Sequence, residues 1–215
     1  MRPAPIAARD LLHLAGQGAL GTLLADAQGQ PFVSAIECAP DEGNAPFFLI
    51  SRLAEHTRNL ERDPRASLLL TAPAQEGGVL AQARMTLVGE ARRFDPAPVT
   101  VARYLRYFPA AQNYLALGDF AFFRLETARL RLIGGFGSMG WLAASALAPP
   151  LRLSPQREAE LLESADPALS PRLLGVDAEG IDLAEDGRRR RLHFDAAFDP
   201  DRGEALLAAL LRGLA

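Results

Sequence analysis

The stretch Ser51–Leu70, SRLAEHTRNLERDPRASLLL, sets a polar, arginine-bearing segment between two runs with the character of buried strands. Before it, PFFLIS (46–51) is apolar sequence of strand length. After Pro64, which cannot continue a helix, RASLLLTA (65–72) resumes strand character. A polar helix between strands is usually only a connection, yet this one gathers two hydroxyls, a histidine and two arginines between Ser51 and Arg58. The donors of Ser51, Arg52, Thr57 and Arg58 cluster beside a helix start whose free backbone N–H groups already favour an anion, so a phosphate dianion is well matched there. A plainer use of the same residues competes with this one. Leu53, His56 or Thr57, and Leu60 fall at helical spacing, so the helix can simply close over a core with His56 as a hydrogen-bonded interior histidine.

Outward from this segment the chain reads as strands with short helical insertions. Arg9–Ala15 has a helical apolar pattern ending at Gly16. ALGTLLAD (19–26) and PFVSAIECA (31–39) flank the turn AQGQ and form a hairpin. LAQARMTLVGEARRF (80–94) is a long strand with a bulge or bend at Gly89, APVTVARYLRYF (97–108) is helical, and DFAFFRLE (119–126) and ARLRLIGG (128–135) return to strand. Six or more strands without regular strand–helix alternation predict a mainly β protein, an antiparallel barrel and not a parallel doubly wound sheet. The proline-marked linker ALAPPLRLSP (146–155) separates this unit, 1–148, from a small α+β domain, 149–215. That domain comprises a helix from Pro155 capped by Ser154, a hairpin GIDLAEDGRRRRLHFD (180–195) turning at EDGR, and an amphipathic helix from Arg202 to Leu214.

Composition removes several function classes. All 23 basic residues are arginine, so chemistry that needs a lysine amine, such as Schiff-base formation or a P-loop grip, is absent. The net charge of -3 with interspersed signs lacks the basic footprint of a nucleic-acid binder. The single cysteine, Cys38, excludes an internal disulfide and any CxxC site and fits a reducing cytoplasm. His13, His56 and His193 show no metal-ligating spacing, so no metal site is expected. No start resembles a signal peptide, and the uncharged run Leu132–Leu151 carries four glycines, two serines and a closing Pro149-Pro150, so it reads as strand and loop and no membrane partner is expected.

Two motifs invite a specific reading and lose it on context. Gly135, Gly137 and Gly140 spell GxGxxG after a strand, but two prolines follow and no parallel strand succeeds them, so the glycines are better read as letting the backbone pass close to a flat ligand or another chain. Arg188–Arg191 splits between two strand faces opposite Glu185 and Asp186, and is expected to be a solvated hairpin with His193 exposed beside it.

Taken together, the quoted segment, LVGEARRF (87–94) and DFAFFRLETARLRLIGGFGSMGW (119–141) resemble the FMN-binding split barrels related to pyridoxamine 5'-phosphate oxidase, and within them the HugZ-like haem-utilisation branch. The stretch from LSP (153–155) through VDAEGIDLAEDG (176–187) resembles the small domain that follows the barrel in that branch. The resemblance implies that the barrel is a six-stranded antiparallel split barrel forming a homodimer, with two cofactor sites at the subunit interface. It places the flavin phosphate against Ser51, Arg52, His56, Thr57 and Arg58, and the ring near Ser34 and Arg84. Oxidase relatives carry a lysine or arginine pair near His56 and Thr57 that is missing here, which shifts the phosphate contact toward Arg58 and Arg52. The leading expectation is a cytoplasmic FMN-dependent oxidoreductase on an unidentified small molecule, with no side chain marked as acid or base. Haem is the alternative ligand, held in such relatives by a histidine from the C-terminal part of the chain. Here LLESADPALS (161–170) contains no histidine, which leaves His193 as the candidate. A third expectation is a cofactor-free dimeric binding module, with Phe120, Phe122 and Phe123 as a surface.

Overall fold

The fold is organised by one strand long enough to serve two sheet halves. In the computed structural model, which describes residues 4–26, 28–73, 78, 80–134, 139–165, 172–195, 198–199, 203, 205 and 207–208, the chain runs α1 (Ala4–Leu14), β1 (Gln17–Leu23), β2 (Pro31–Glu37), β3 (Ala39–Pro40), β4 (Pro46–Ser51), α2 (Glu55–Arg62), β5 (Arg65–Thr71), β6 (Arg84–Arg93), α3 (Pro98–Tyr107), α4 (Ala111–Leu117) and β7 (Phe120–Ile133). It continues through β8 (Met139–Ala143), a 3-10 turn (Ala144–Leu147), α5 (Pro155–Glu163), β9 (Arg172–Val176), β10 (Gly180–Glu185) and β11 (Arg188–His193).

The first eight strands form one antiparallel sheet in the order β2-β1-β5-β6-β7-β4-β3. Strand β7, 14 residues long, pairs with β4 along its first half, with β8 along its second, and with β6 on its other edge. The six long strands are those expected of a split barrel, and the sheet is mainly β as the sequence predicts. The two strands expected at 119–126 and 128–135 are one, a correction with a local cause. Between Val88 and Gly89 the β6–β7 register shifts, Ala128 is the extra residue, and the bulge carries pairing across the polar middle of β7. Gly89 is required there, because a Cβ would lie 2.0 Å from the Glu126 carbonyl oxygen.

Alternation fixes which face is buried. Leu20, Leu68, Leu87 and Leu130 share one register row and are each fully buried, and Leu70, Met85 and Leu132 form the next inward row. Phe122 and Phe123 are buried, used for strand packing and not as a binding surface, and Phe120 is only half-buried. Cys38 is fully buried, and burial pushes its thiol up to about 12, which makes it inert as a nucleophile. Among the described residues no helix is long and apolar enough to cross a membrane.

The remaining three strands form a second sheet, β11-β10-β9, with its own apolar cluster around Leu161, Ile181 and Leu183. Ser154 caps α5 by accepting the Arg157 amide at 3.1 Å, and the β10–β11 turn places Asp186 and Gly187 at positive φ. Most of the expected helix Arg202–Leu214 lies outside the described residues, as do Gly135 and Gly137.

Buried charge fastens this sheet to the barrel. Arg9 on α1 holds both carboxylate oxygens of Glu179 at 2.6 Å. Arg103 on α3 pairs with Glu158 on α5 and donates to the Pro40 carbonyl at 2.8 Å. Asp182, 2% exposed, meets His13 Nδ1 at 2.6 Å, Arg191 at 2.7 Å and the Tyr107 hydroxyl at 2.5 Å. The arginine run is therefore not a solvated hairpin. Arg188 and Arg190 face outward, but the Arg191 side chain is 2% exposed and bridges Asp177 and Asp182. His193 is not simply exposed either, since its Nε2 lies 2.9 Å from Asp10. The alternation expected from sequence is correct; what sequence does not show is that the second face of the hairpin lands on α1.

Burial by itself would raise the Asp182 carboxyl, but His13 and Arg191 outweigh it and hold the group well below the usual carboxylate range. Asp177 is depressed in the same sense, with Arg191 and His13 again prevailing over burial. A depressed carboxylate stabilises the fold fully above its unfolded value, about 3.9, and loses that contribution as pH falls further toward its folded value. Asp182→Asn is expected to cost about 3 to 5 kcal/mol in urea unfolding at pH 7, the range for removing one partner of a buried ion pair. The gap from wild type is expected to narrow below pH 4; a gap that is unchanged at pH 3 contradicts this account.

Candidate functional site

The segment that opens the sequence folds as a tight turn from β4 into α2, and its donors are largely spent on that turn. The Ser51 hydroxyl donates to Asp119 at 2.9 Å and accepts the Leu53 amide at 3.1 Å. Thr57 is fully buried and donates to the Ser51 carbonyl at 2.6 Å. Arg52 reaches back to the Gly118 carbonyl at 2.7 Å, and Arg58, 59% exposed, pairs with Glu55. Beneath the helix, Asn59 donates to Thr22 at 3.0 Å and accepts the Ala25 amide at 3.0 Å, which pins α2 to β1.

His56 is different. Its Nδ1 lies 2.9 Å from the Ser34 hydroxyl on β2, while its Nε2 is buried and has no hydrogen-bond partner among the described residues. Burial lowers its pKa, so the neutral ring is favoured. A neutral imidazole has one N–H. Placing it on Nδ1, donating to Ser34, avoids a buried unsatisfied donor and leaves the Nε2 lone pair unused.

That ring lines a cleft of about 240 Å³ between β2, β4, α2, α3 and α4, together with Ala35, Leu49, Ser51, Tyr104, Tyr114 and Phe120. Tyr114 and Phe120 stack with centroids 5.1 Å apart and 15° between planes, forming an aromatic wall. Of the residues expected to bind a cofactor, Ser34, Ser51 and His56 come together at this cleft, Thr57 lies beneath it, and Arg52 and Arg58 sit on the exposed side of the turn. Arg84 is elsewhere in the subunit. It pairs across from Ile133 at the end of β7 opposite to Phe120, which pairs with Ser51, and its guanidinium faces the Gln82 carbonyl at 3.2 Å. The aromatic wall was missed because α4 was not recognised; its signals are the NYLAL pattern and Gly118, which ends the helix at φ 75°.

The other two histidines are committed. His13 is 2% exposed between Asp182 and Asn44, the latter at 2.9 Å from Nε2, and His193 faces Asp10. Among the described residues no three His, Cys, Asp or Glu side chains gather as a metal site.

The profile of the family described as CREG, beta-barrel matches residues 1–147. The chain belongs to this CREG beta-barrel family. It is 34% identical over 121 residues to the chloroplastic non-canonical heme oxygenase HOZ of Arabidopsis thaliana, covering 55% of this chain and 36% of that protein, so it spans little more than a third of that relative's length. Among solved structures, a protein of unknown function from Agrobacterium tumefaciens str. C58 matches with 29% identity and a TM-score of 0.78, over 98% of each chain. A heme binding protein from Mycobacterium smegmatis matches with 28% identity and a TM-score of 0.63, over 99% of this chain and 98% of that one. These findings support the HugZ-like split barrel that the sequence resembles.

Desolvation of a half-buried ring makes a solution measurement possible. In an NMR pH titration His56 is expected to titrate below the ordinary histidine value of about 6.5. Ser34→Ala, which removes the Nδ1 partner, is expected to change the His56 chemical shifts at high pH; spectra identical to wild type would mean the Ser34 contact is not formed.

Proposed function

We propose that this protein binds haem, with the α2 cleft as the site and His56 as the residue that meets the iron. The single observation that carries the reading is the buried Nε2 of His56, a lone pair without a partner on a ring oriented by a second-residue hydrogen bond, as metal-ligating histidines are. The residues present fit such a group: Tyr114 and Phe120 offer an aromatic wall to a flat macrocycle, and Leu49 and Ala35 exclude water. Haem supplies an iron centre; the chain's own part is to orient His56 through Ser34 and to keep the site dry. Similarity to a heme oxygenase and to a heme binding protein supports this ligand over FMN.

The size of the cleft bears on assembly. At about 240 Å³ it falls below the roughly 300–1,000 Å³ usual for pockets that enclose a drug-sized ligand, so one subunit covers only part of a tetrapyrrole. A second copy of the chain completes it in this reading. The outer face of the sheet carries exposed apolar side chains suited to that contact, including Val33 at 64%, Met139 at 61% and Trp141 at 51%.

FMN is the second reading, favoured by one observation: the Arg52 and Arg58 guanidinium groups are exposed beside an α2 N-terminus whose Ala54 provides no side-chain cap. Against it, the carboxylates of Glu55 and Asp119 occupy the same turn.

Hemin titration of the purified chain is expected to give a saturable Soret band. His56→Ala is expected to weaken binding at least tenfold and to shift the band, whereas His193→Ala leaves both unchanged. Retention of affinity and spectrum in His56→Ala removes His56 as the ligand. Flavin absorbance in the purified protein, lost in Arg58→Ala, would replace haem with FMN. Conversion of haem is tested separately, by following the Soret band under ascorbate and oxygen.

The dimer has its own check. Light scattering is expected to give about twice the 23.1 kDa chain mass, and Trp141→Glu to give the single-chain mass with hemin affinity reduced at least tenfold. A wild-type monomer that still binds hemin tightly contradicts the two-subunit site.

A further inference from the structure

A second and larger cleft lies on the other side of α3, where the barrel meets the small domain. It encloses about 580 Å³ between the end of α1, the end of β5, the end of α3 and the β10–β11 turn. One wall is apolar, formed by Leu14, Ala72 and Pro73, and Gln17 contributes an amide. The facing wall carries Arg188 and Arg189.

Arg189 is an unusual occupant. Its guanidinium carbon lies over Tyr107 and Phe108, 4.9 and 4.6 Å from the ring centroids, and one nitrogen donates to the Ala15 carbonyl at 3.2 Å. Among the described residues no carboxylate pairs with it. The nearest buried one, Asp182, is already shared among His13, Arg191 and Tyr107, and Glu158 is taken by Arg103 and Arg106. Burial pushes the Arg189 pKa down and outweighs the opposing pull of Tyr107, Cys38 and Asp182. A guanidinium in that position, over two rings and with one donor spent on Ala15 among the described residues, presents a fork suited to a planar carboxylate.

We propose that this cleft is a binding site for a small organic carboxylate with a flat apolar body, its carboxylate held by Arg189 and its body lying against Leu14, Ala72 and Pro73. Charge explains the acid group, because an anion there offsets the cost of a part-buried cation that no described carboxylate meets. Shape explains the body, because the cavity lies within the usual size range for an organic ligand and Leu14, Ala72, Pro73 and Phe108 line it with apolar surface. The site shares no residue with the α2 cleft, so it stands or falls independently of the haem reading.

Benzoate is a suitable probe, with neutral benzamide and inorganic phosphate as controls, in calorimetric titrations of the full chain. Benzoate is expected to bind saturably and benzamide at least tenfold more weakly. Arg189→Gln is expected to lose benzoate at least tenfold, and His56→Ala to retain it. Because Arg189 also packs against two rings, Thr71→Trp serves as a second variant: it narrows the cleft from an exposed strand position with Arg189 intact, and is likewise expected to lose benzoate at least tenfold. Absence of saturable benzoate binding, equal binding of benzamide, binding of phosphate alone, or unchanged benzoate affinity in Thr71→Trp overturns the proposal.

Discussion

Asp182 is the constraint on which the rest of the molecule depends. It is a carboxylate almost without solvent, and it is tolerable there only because His13 from the first helix, Tyr107 from α3 and Arg191 from the last hairpin converge on it. Those three partners come from parts of the chain as far apart as residues 13 and 191. The first helix is thereby fixed across the barrel and α3 against the second sheet, and both clefts inherit their walls from these placements. Tyr104 on α3 lines one cleft and Tyr107, one turn on, lines the other. Because every cation in the chain except histidine is arginine, which does not lose its proton in proteins, this seam keeps its positive charge at any pH the fold survives.

The turn after β4 shows how a donor-rich sequence can be spent on geometry instead of a ligand. Ser51 and Thr57 hold the turn's own backbone and Asp119, and Asn59 ties the helix to β1. What these contacts achieve is the placement of His56, with Nδ1 against Ser34, in the lining of the aromatic cleft. The hydroxyls act through the histidine's position. A single unpartnered nitrogen at the end of so many satisfied groups is the chemically distinctive feature of the segment, since buried polar atoms without partners are uncommon in folded proteins.

Much of this architecture was legible from period-2 alternation, from the AQGQ and EDGR turns and from Gly89, all of which act locally. The merger of 119–126 and 128–135 into one strand was not, because a bulge is a property of the pairing with β6 and not of β7 alone. Helix α4 escaped because its seven residues are too few for helical periodicity to stand out. At the site, Ser34 and His56 were singled out 22 residues apart, and the structure joins them. Arg84 was placed with them by resemblance, and the fold puts it at the opposite end of β7. His13, Asp182 and Arg191 could not be found as a group, since nothing in a sequence announces that residues 169 positions apart share one hydrogen bond.

The arginine run makes the same point in a smaller space. Arg189 and Arg191 sit two positions apart on one face of β11, with identical side chains and the same inward direction. One is met by Asp177 and Asp182 and becomes part of the lock; the other is met by two aromatic rings and a carbonyl and by no carboxylate among the described residues. The difference comes entirely from what α1, α3 and the 177–182 segment present to each, and burial acts on them with opposite outcomes. For Arg191 the neighbouring carboxylates outweigh burial and raise its pKa, while for Arg189 burial prevails and lowers it. A cation that no described carboxylate meets, held beside an open cleft, is the feature on which the proposed acid site rests.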